Sequence, residues 1–256
     1  QMCIRDRFGT GLVCDVLALT IRSRRVRRVL GSIRVALPDL MSLFLPQRTA
    51  DVLPRAPLGP VPQQGTEEFE LLFQTSAHGI GLVGHCELCF DGRTLTYGAY
   101  DPAHQRLLRT AGAGIVFSAP REPYLRWCIG THHRRVISYS LCLPPAQAAQ
   151  LRAELERFRQ TLSPWQPEAL PEDCFAGRLR RLGGVRFWRV QRGPYATYFI
   201  PTINCVSLTN ELLEKTDIGR TVMLGLKTPG AYLDLLEREY LAGNPAVTAR
   251  RVYDRI

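Results

Sequence analysis

From Glu67 onward, stretches in which apolar residues alternate with polar ones give way to stretches in which they recur every three or four positions. These are the marks of half-buried strands and of amphipathic helices. "EEFELLFQ" alternates into a strand, and "GLVGHCELCFDGRTLTYGAYD" holds two β-type runs around Asp91-Gly92, a strong hairpin signal. "GIVFS" predicts another strand, followed by a helix over 122–129 and a strand over 135–141. "PPAQAAQLRAELERFRQTL" gives the clearest helix, with Pro144 and Pro145 at its start and Leu151, Leu155, Phe158 and Leu162 on one stripe. "SPWQPEALPEDCFAG" reads as a loop, "VRFWRV" and "YATYFI" as strands, and further helices begin near Asn204 and at Pro229. This order predicts an α+β domain: an antiparallel sheet with helices gathered on one side of it.

Upstream the pattern differs. "FGTGLVCDVLALTI" is apolar from Phe8 to Ile21, "RSRRVRR" follows, and a second apolar run extends from Val29 to Pro46. The first run is some six residues short of the roughly 20 that a bilayer needs and contains Asp15; the second is interrupted by Arg34, Pro38 and Asp39. A pair of packed helices is expected, with contact between residues 8–46 and a membrane surface as the alternative. Residues 46–65 hold five prolines and two glycines without a period, which predicts a linker. The chain thus divides into a basic N-terminal segment over 1–45, a linker over 46–65 and a domain over 66–256. The first seven residues, "QMCIRDR", resemble translated sequencing-adapter sequence and are expected to be no part of the fold.

Charge changes the picture little. Of a formal net charge of +10, the first 56 residues carry the larger part, with ten arginines against four aspartates. The later domain shows no basic block interleaved with aromatics, so a nucleic-acid partner is not expected there. An arginine-rich module for anionic lipid or nucleic acid is carried by "RSRRVRR" alone. Eight cysteines in 256 residues do not amount to a disulfide framework, because a chain of this size needs no staples. "CELC" has half the spacing of a zinc site but lacks a second pair, and on a strand Cys86 and Cys89 face opposite ways. No metal or cofactor is expected. "THHRR", residues 131–135, reads as a solvated loop, or else as a grip for an anionic headgroup.

Two segments carry candidate chemistry. In "INCVSLTNELL", Cys205 shares a helix face with Leu208 and Leu212 and sits on the first turn, which Thr202 or Asn204 would cap. A helix N-terminus presents free N–H groups that favour thiolate over thiol and can hold an oxyanion. Buried cysteine as a small hydrophobe is the competing reading. His85 stands at the head of the first hairpin strand after Gly81 and Gly84, where a base for that nucleophile would be wanted.

The pair "GHCELCFDGRTLTYGAYD" and "TYFIPTINCVSLTNELL" resembles the two halves of an NlpC-type papain-like domain in its circularly permuted branch. That branch is similar to lecithin–retinol-acyltransferase-like proteins and to the periplasmic domain of Lnb-type lipoprotein acyltransferases. The likeness spans about Thr66 to Tyr240 and is sharp only in the two motifs. It implies Cys205 as nucleophile, His85 as general base, an acyl-enzyme, an acyl, peptide or lipid substrate, and a cell-envelope or membrane-associated setting. Such families place a histidine or carboxamide on the next strand to orient the imidazole, and this chain has neither there. A two-residue turn at Asp91-Gly92 pairs Phe90 with Arg93 and sets Glu87 opposite Thr96, which puts Thr96 on the face of His85 and turns Tyr97 away. Thr96 is therefore the candidate orienter, with Tyr97 and Tyr100 in reserve; a one-residue bulge would exchange Thr96 and Tyr97. The missing third histidine motivates a rival reading, a non-catalytic binding or scaffolding domain on the same frame. The loops at 102–113 and 163–184 are expected to build the substrate groove. The sequence sets no oligomeric state.

Overall fold

The computed structural model describes residues 42–43, 45–58, 68–75, 84–107, 110–166, 170–214, 216 and 227–254. Of the helices expected over 8–46, residues 8–41 lie outside these, as do the adapter-like residues. Among the described residues no helix is long and apolar enough to cross a membrane.

The strands are β1 (Glu68–Thr75), β2 (His85–Phe90), β3 (Arg93–Gly98), β4 (Ala111–Ala113), β5 (Ile115–Pro120), β6 (Arg135–Cys142), β7 (Leu162–Pro164), β8 (Arg186–Val190), β9 (Thr197–Phe199) and β10 (Val247–Tyr253). The helices are α1 (Leu45–Val52), α2 (Arg121–Gly130), α3 (Pro145–Arg159), α4 (Phe175–Arg180), α5 (Cys205–Leu213) and α6 (Pro229–Leu241). Eight strands form one sheet in the order β10-β6-β1-β2-β3-β5-β8-β7, and β4 pairs with β9 in a second ribbon. All the pairings within the sheet are antiparallel, so the α+β class holds.

The hairpin turn is built as its residues dictate. Asp91 and Gly92 both take positive φ, 47° and 70°, the combination a two-residue turn needs to match strand twist. Phe90 then pairs with Arg93 and Leu88 with Leu95, the register expected, without a bulge.

The helices do not gather on one side. Phe69, Leu71, Phe73, Ile137, Tyr139 and Leu141 pack beneath the helices α3, α5 and α6, while Leu72, Phe117 and Val136 face the other way onto Tyr124, Leu125 and Cys128 of α2 and Leu179 of α4. The second face escaped the sequence reading because its polar residues look solvated. Glu70 of β1 is buried and bound by Arg121 of α2, with Nη2 at 2.8 Å from Oε1 and Ser138 Oγ at 3.0 Å.

The expected linker is also corrected at its start. The helix α1 falls inside it, buries Pro46 and Ala50, and is followed by Ala56, whose N–H donates to the Val252 carbonyl at 2.6 Å. Proline at the second helical position costs no hydrogen bond, so "LPQRTADV" folds onto the domain instead of spacing it.

Candidate active site

α5 begins at Cys205, and Asn204 caps it. The Asn204 side chain accepts from Ser207 N–H at 3.0 Å, and Ser207 Oγ accepts the Asn204 N–H at 2.7 Å, a reciprocal capping box. The Asn204 amide also donates to the carbonyls of Ile200 (2.7 Å) and Lys227 (2.8 Å), which fixes where the helix starts. Leu208 and Leu212 face the core as the periodicity predicts.

The helix start meets the sheet where the hairpin is unzipped. β2 pairs with β3 from Leu88 to Phe90, whereas β3 continues to Gly98 along β5. At the splayed end the Cys86 N–H is not taken by β3 and instead points at Cys205 Sγ, 3.4 Å away. Cys205 is 3 % exposed. Burial pushes its thiol up to about 11, against the pull of the amides of Cys86, Val206 and Cys205 itself. The expectation that the helix end would favour thiolate is therefore overturned at rest, because desolvation outweighs the donors.

His85, the chain neighbour of Cys86, has its ring anchored at one nitrogen. Nε2 lies 2.6 Å from Thr96 Oγ1 and 3.0 Å from Tyr100 Oη, and those two hydroxyls are 3.1 Å apart. Thr96 stands on the histidine face, as the register argument placed it. Tyr97 points to the opposite face, where its hydroxyl donates to the Tyr195 carbonyl at 2.9 Å. Burial, then the positive charge of Arg134, lowers the His85 imidazole to about 3, so the ring is neutral at physiological pH. Its side chain keeps 16 % of its surface exposed.

Cys205 and His85 thus meet at one corner of the sheet from opposite faces, linked by the Cys86 amide. Among the described residues His85 Nδ1 makes no hydrogen bond, and the sulfur and the ring are not bonded to one another. Both groups are neutral at physiological pH.

Sequence reasoning missed what lies behind the ring. Glu87 is 1 % exposed, with Oε1 at 4.0 Å from His85 Nε2 and accepting the Tyr124 hydroxyl at 2.7 Å. Gln74 donates to that hydroxyl at 2.8 Å and accepts from Arg134 Nη1 at 3.1 Å. Burial raises the Glu87 carboxyl to about 7. Its place two residues after His85 on one strand was the available signal; partners on β1, α2 and the turn after α2 were not visible in sequence.

Of "THHRR", His132 lies against Trp127 with ring centres 4.1 Å apart, and Arg134 reaches inward to Gln74, so neither belongs to a solvated loop. Cys86 and Cys89 pack on opposite faces, in separate clusters. A cavity of about 630 Å³ opens beside β7 and β8, lined by Trp165, Trp188, Arg180 and Arg186 among others. It draws partly on the 163–184 segment, but none of Cys205, His85 and Thr96 lines it. No protein-family model, no curated protein and no solved structure matches the chain, so the geometry of these side chains is what bears on its chemistry.

Proposed function

We propose that the domain is a cysteine-dependent hydrolase or acyltransferase that acts on an amide or ester through an acyl-enzyme on Cys205, with His85 as general base and Thr96 orienting its ring. The observation that carries the reading is the corner itself: a helix-start sulfur 3.4 Å from the amide of Cys86, the residue that follows His85, whose Nε2 is held 2.6 Å from Thr96. With Nε2–H donated to Thr96, Nδ1 is the nitrogen left to take a proton. The likeness of the two motifs to permuted NlpC-type domains supports the same assignment, with an acyl, peptide or lipid substrate at the cell envelope.

In this scheme the thiol proton passes to Nδ1 as sulfur attacks the carbonyl carbon, and the carbonyl electron pair moves onto oxygen. Collapse expels the amine or alcohol, which takes the proton from the imidazolium. Water, or a second nucleophile in transfer, then attacks the thioester and gives its proton to the ring; collapse breaks the C–S bond, and the imidazolium returns the proton to the departing thiolate. The amides at the start of α5 and of Cys86 are the donors available to the oxyanion. Sulfur and ring have to close on one another when substrate binds, as catalytic hydrogen bonds often do.

Incubation with an activated acyl ester, followed by intact-mass spectrometry, tests this. A single acyl adduct on Cys205 is expected, absent in Cys205→Ala and formed roughly 100-fold more slowly in His85→Ala. Because the thiol is raised, labelling should climb with pH from 6 to 9 instead of levelling off below neutrality. Burial of the sulfur and depression of the imidazole favour the second reading, a binding or scaffolding domain. Absence of any adduct over that pH range, or equal labelling in His85→Ala, would decide for it.

A further inference from the structure

We infer that Glu87 is a positioning residue of this corner: its carboxylate, facing His85 through the Thr96 hydroxyl, is the anion that steadies the ring when the imidazole accepts a proton. The inference rests on the catalytic reading above for its purpose, but not for its geometry.

Glu87 and His85 stand two residues apart on β2 and so share a face, and the turn at Asp91-Gly92 brings Thr96 onto that face from β3. The carboxylate has one oxygen engaged by Tyr124, while Oε2 is buried without a hydrogen-bond partner among the described residues. A buried carboxylate oxygen left unpaired is costly in a folded protein, and such groups cluster where a charge is needed. The cation that faces it, Arg134, does not touch it; it is held one step away on Gln74, which in turn holds Tyr124. No counter-ion therefore quenches Glu87 directly, and its nearest partner for positive charge is His85 Nε2 at 4.0 Å.

The remaining titratable groups around it are weak acids that stay neutral: Cys86 and Cys89 from β2 itself, Tyr124 and Cys128 from α2, Tyr100 from the loop after β3, and Cys205 from α5. Thr96 connects the two ends. Having accepted the Nε2 proton, its hydroxyl has its own proton to turn toward Tyr100 or Glu87. An imidazolium formed on His85 would then sit against a carboxylate across one hydroxyl, in surroundings dry enough to make that charge effective.

The test is a titration of the ¹⁵N-labelled protein from pH 5 to 9 that follows the His85 ring nitrogens, assigned with His85→Gln. The ring nitrogens should inflect near pH 7, where the carboxyl ionises, without the large change that marks ring protonation. Glu87→Gln keeps an acceptor for Tyr124 and should remove the inflection; acylation of Cys205 at pH 8 should fall about tenfold in the same variant. Tyr124→Phe, which removes the bond to Oε1, should move the inflection upward by roughly half a unit to one unit. A flat parental titration, or an inflection unchanged in Glu87→Gln, overturns the inference. An inflection that behaves as expected in a protein that never acylates leaves Glu87 as the anion facing the ring and removes the catalytic reading instead.

Discussion

At the scale of single residues, the ring of His85 is fixed by two hydroxyls rather than by the amide or second imidazole that the resembling families use. Thr96 makes the shorter contact, 2.6 Å against 3.0 Å for Tyr100, and it alone of the two sits on the adjacent strand β3. Thr96→Val preserves shape while removing the hydroxyl, so it separates orientation from packing. Acylation of Cys205 should drop about tenfold in this variant and further in Thr96→Val with Tyr100→Phe, with melting shifted only slightly because one net hydrogen bond contributes about 1 kcal/mol. Full activity in the double variant, measured with the same acyl ester, would show that neither hydroxyl orients the ring. Thr96 was legible because strand alternation and a two-residue turn fix the register. Glu87 was not, since what makes it unusual is burial behind Tyr124 and Gln74, through contacts that span 37 positions from Glu87 to Tyr124 and 50 from Tyr124 to Gln74.

At the scale of elements, the sheet is clasped on its second face by α2 through a buried ion pair. Arg121 opens α2 and binds Glu70 of β1, with Tyr253 of β10 at 3.2 Å from the same guanidinium. Removing one partner strands the other charge in the interior, which typically costs 3–5 kcal/mol, whereas replacing both by apolar groups recovers most of that loss. Arg121→Met should therefore lower stability in urea by about 3–5 kcal/mol, and Arg121→Met with Glu70→Leu should regain at least half of it. These polar residues explain why the sequence suggested helices on one side: Glu70 and Gln74 alternate with Phe69, Leu71 and Phe73 as a wet face would, yet both are buried and bonded. β10 went unread for a related reason. A register shift between Val247 and Ala249 breaks its period of two, and Arg250 and Arg251 interrupt the apolar run. Helix α4 has six residues, too few to display a helical period.

At the scale of the whole molecule, the same corner shapes how stability varies with pH. His85 titrates at about 3 in the fold against an ordinary 6.5, so below pH 6.5 the unfolded chain takes up a proton that the folded ring refuses, and stability is lost as pH falls toward 3. Glu87 acts in the opposite direction: its folded carboxyl keeps a proton to about 7 while the unfolded one gives it up above 4.5, so its contribution is lost as pH rises through that window. The two effects oppose one another between 4.5 and 6.5, and the loss from His85 stands alone below. Stability of His85→Gln relative to the parent should therefore improve by roughly 2 kcal/mol between pH 7 and pH 5, read from urea midpoints. A constant offset would mean that the ring is not desolvated.

The docking of α1 has a topographic consequence. Ser42 Oγ lies 2.7 Å from Thr228 Oγ1, and a methyl added at Gly84 would come within 3.4 Å of Pro46 and 3.5 Å of Pro229. The chain therefore enters the domain beside the residue that precedes the imidazole. Residue 42 is thereby pinned beside the strand that carries His85 and not at the β7 edge of the sheet.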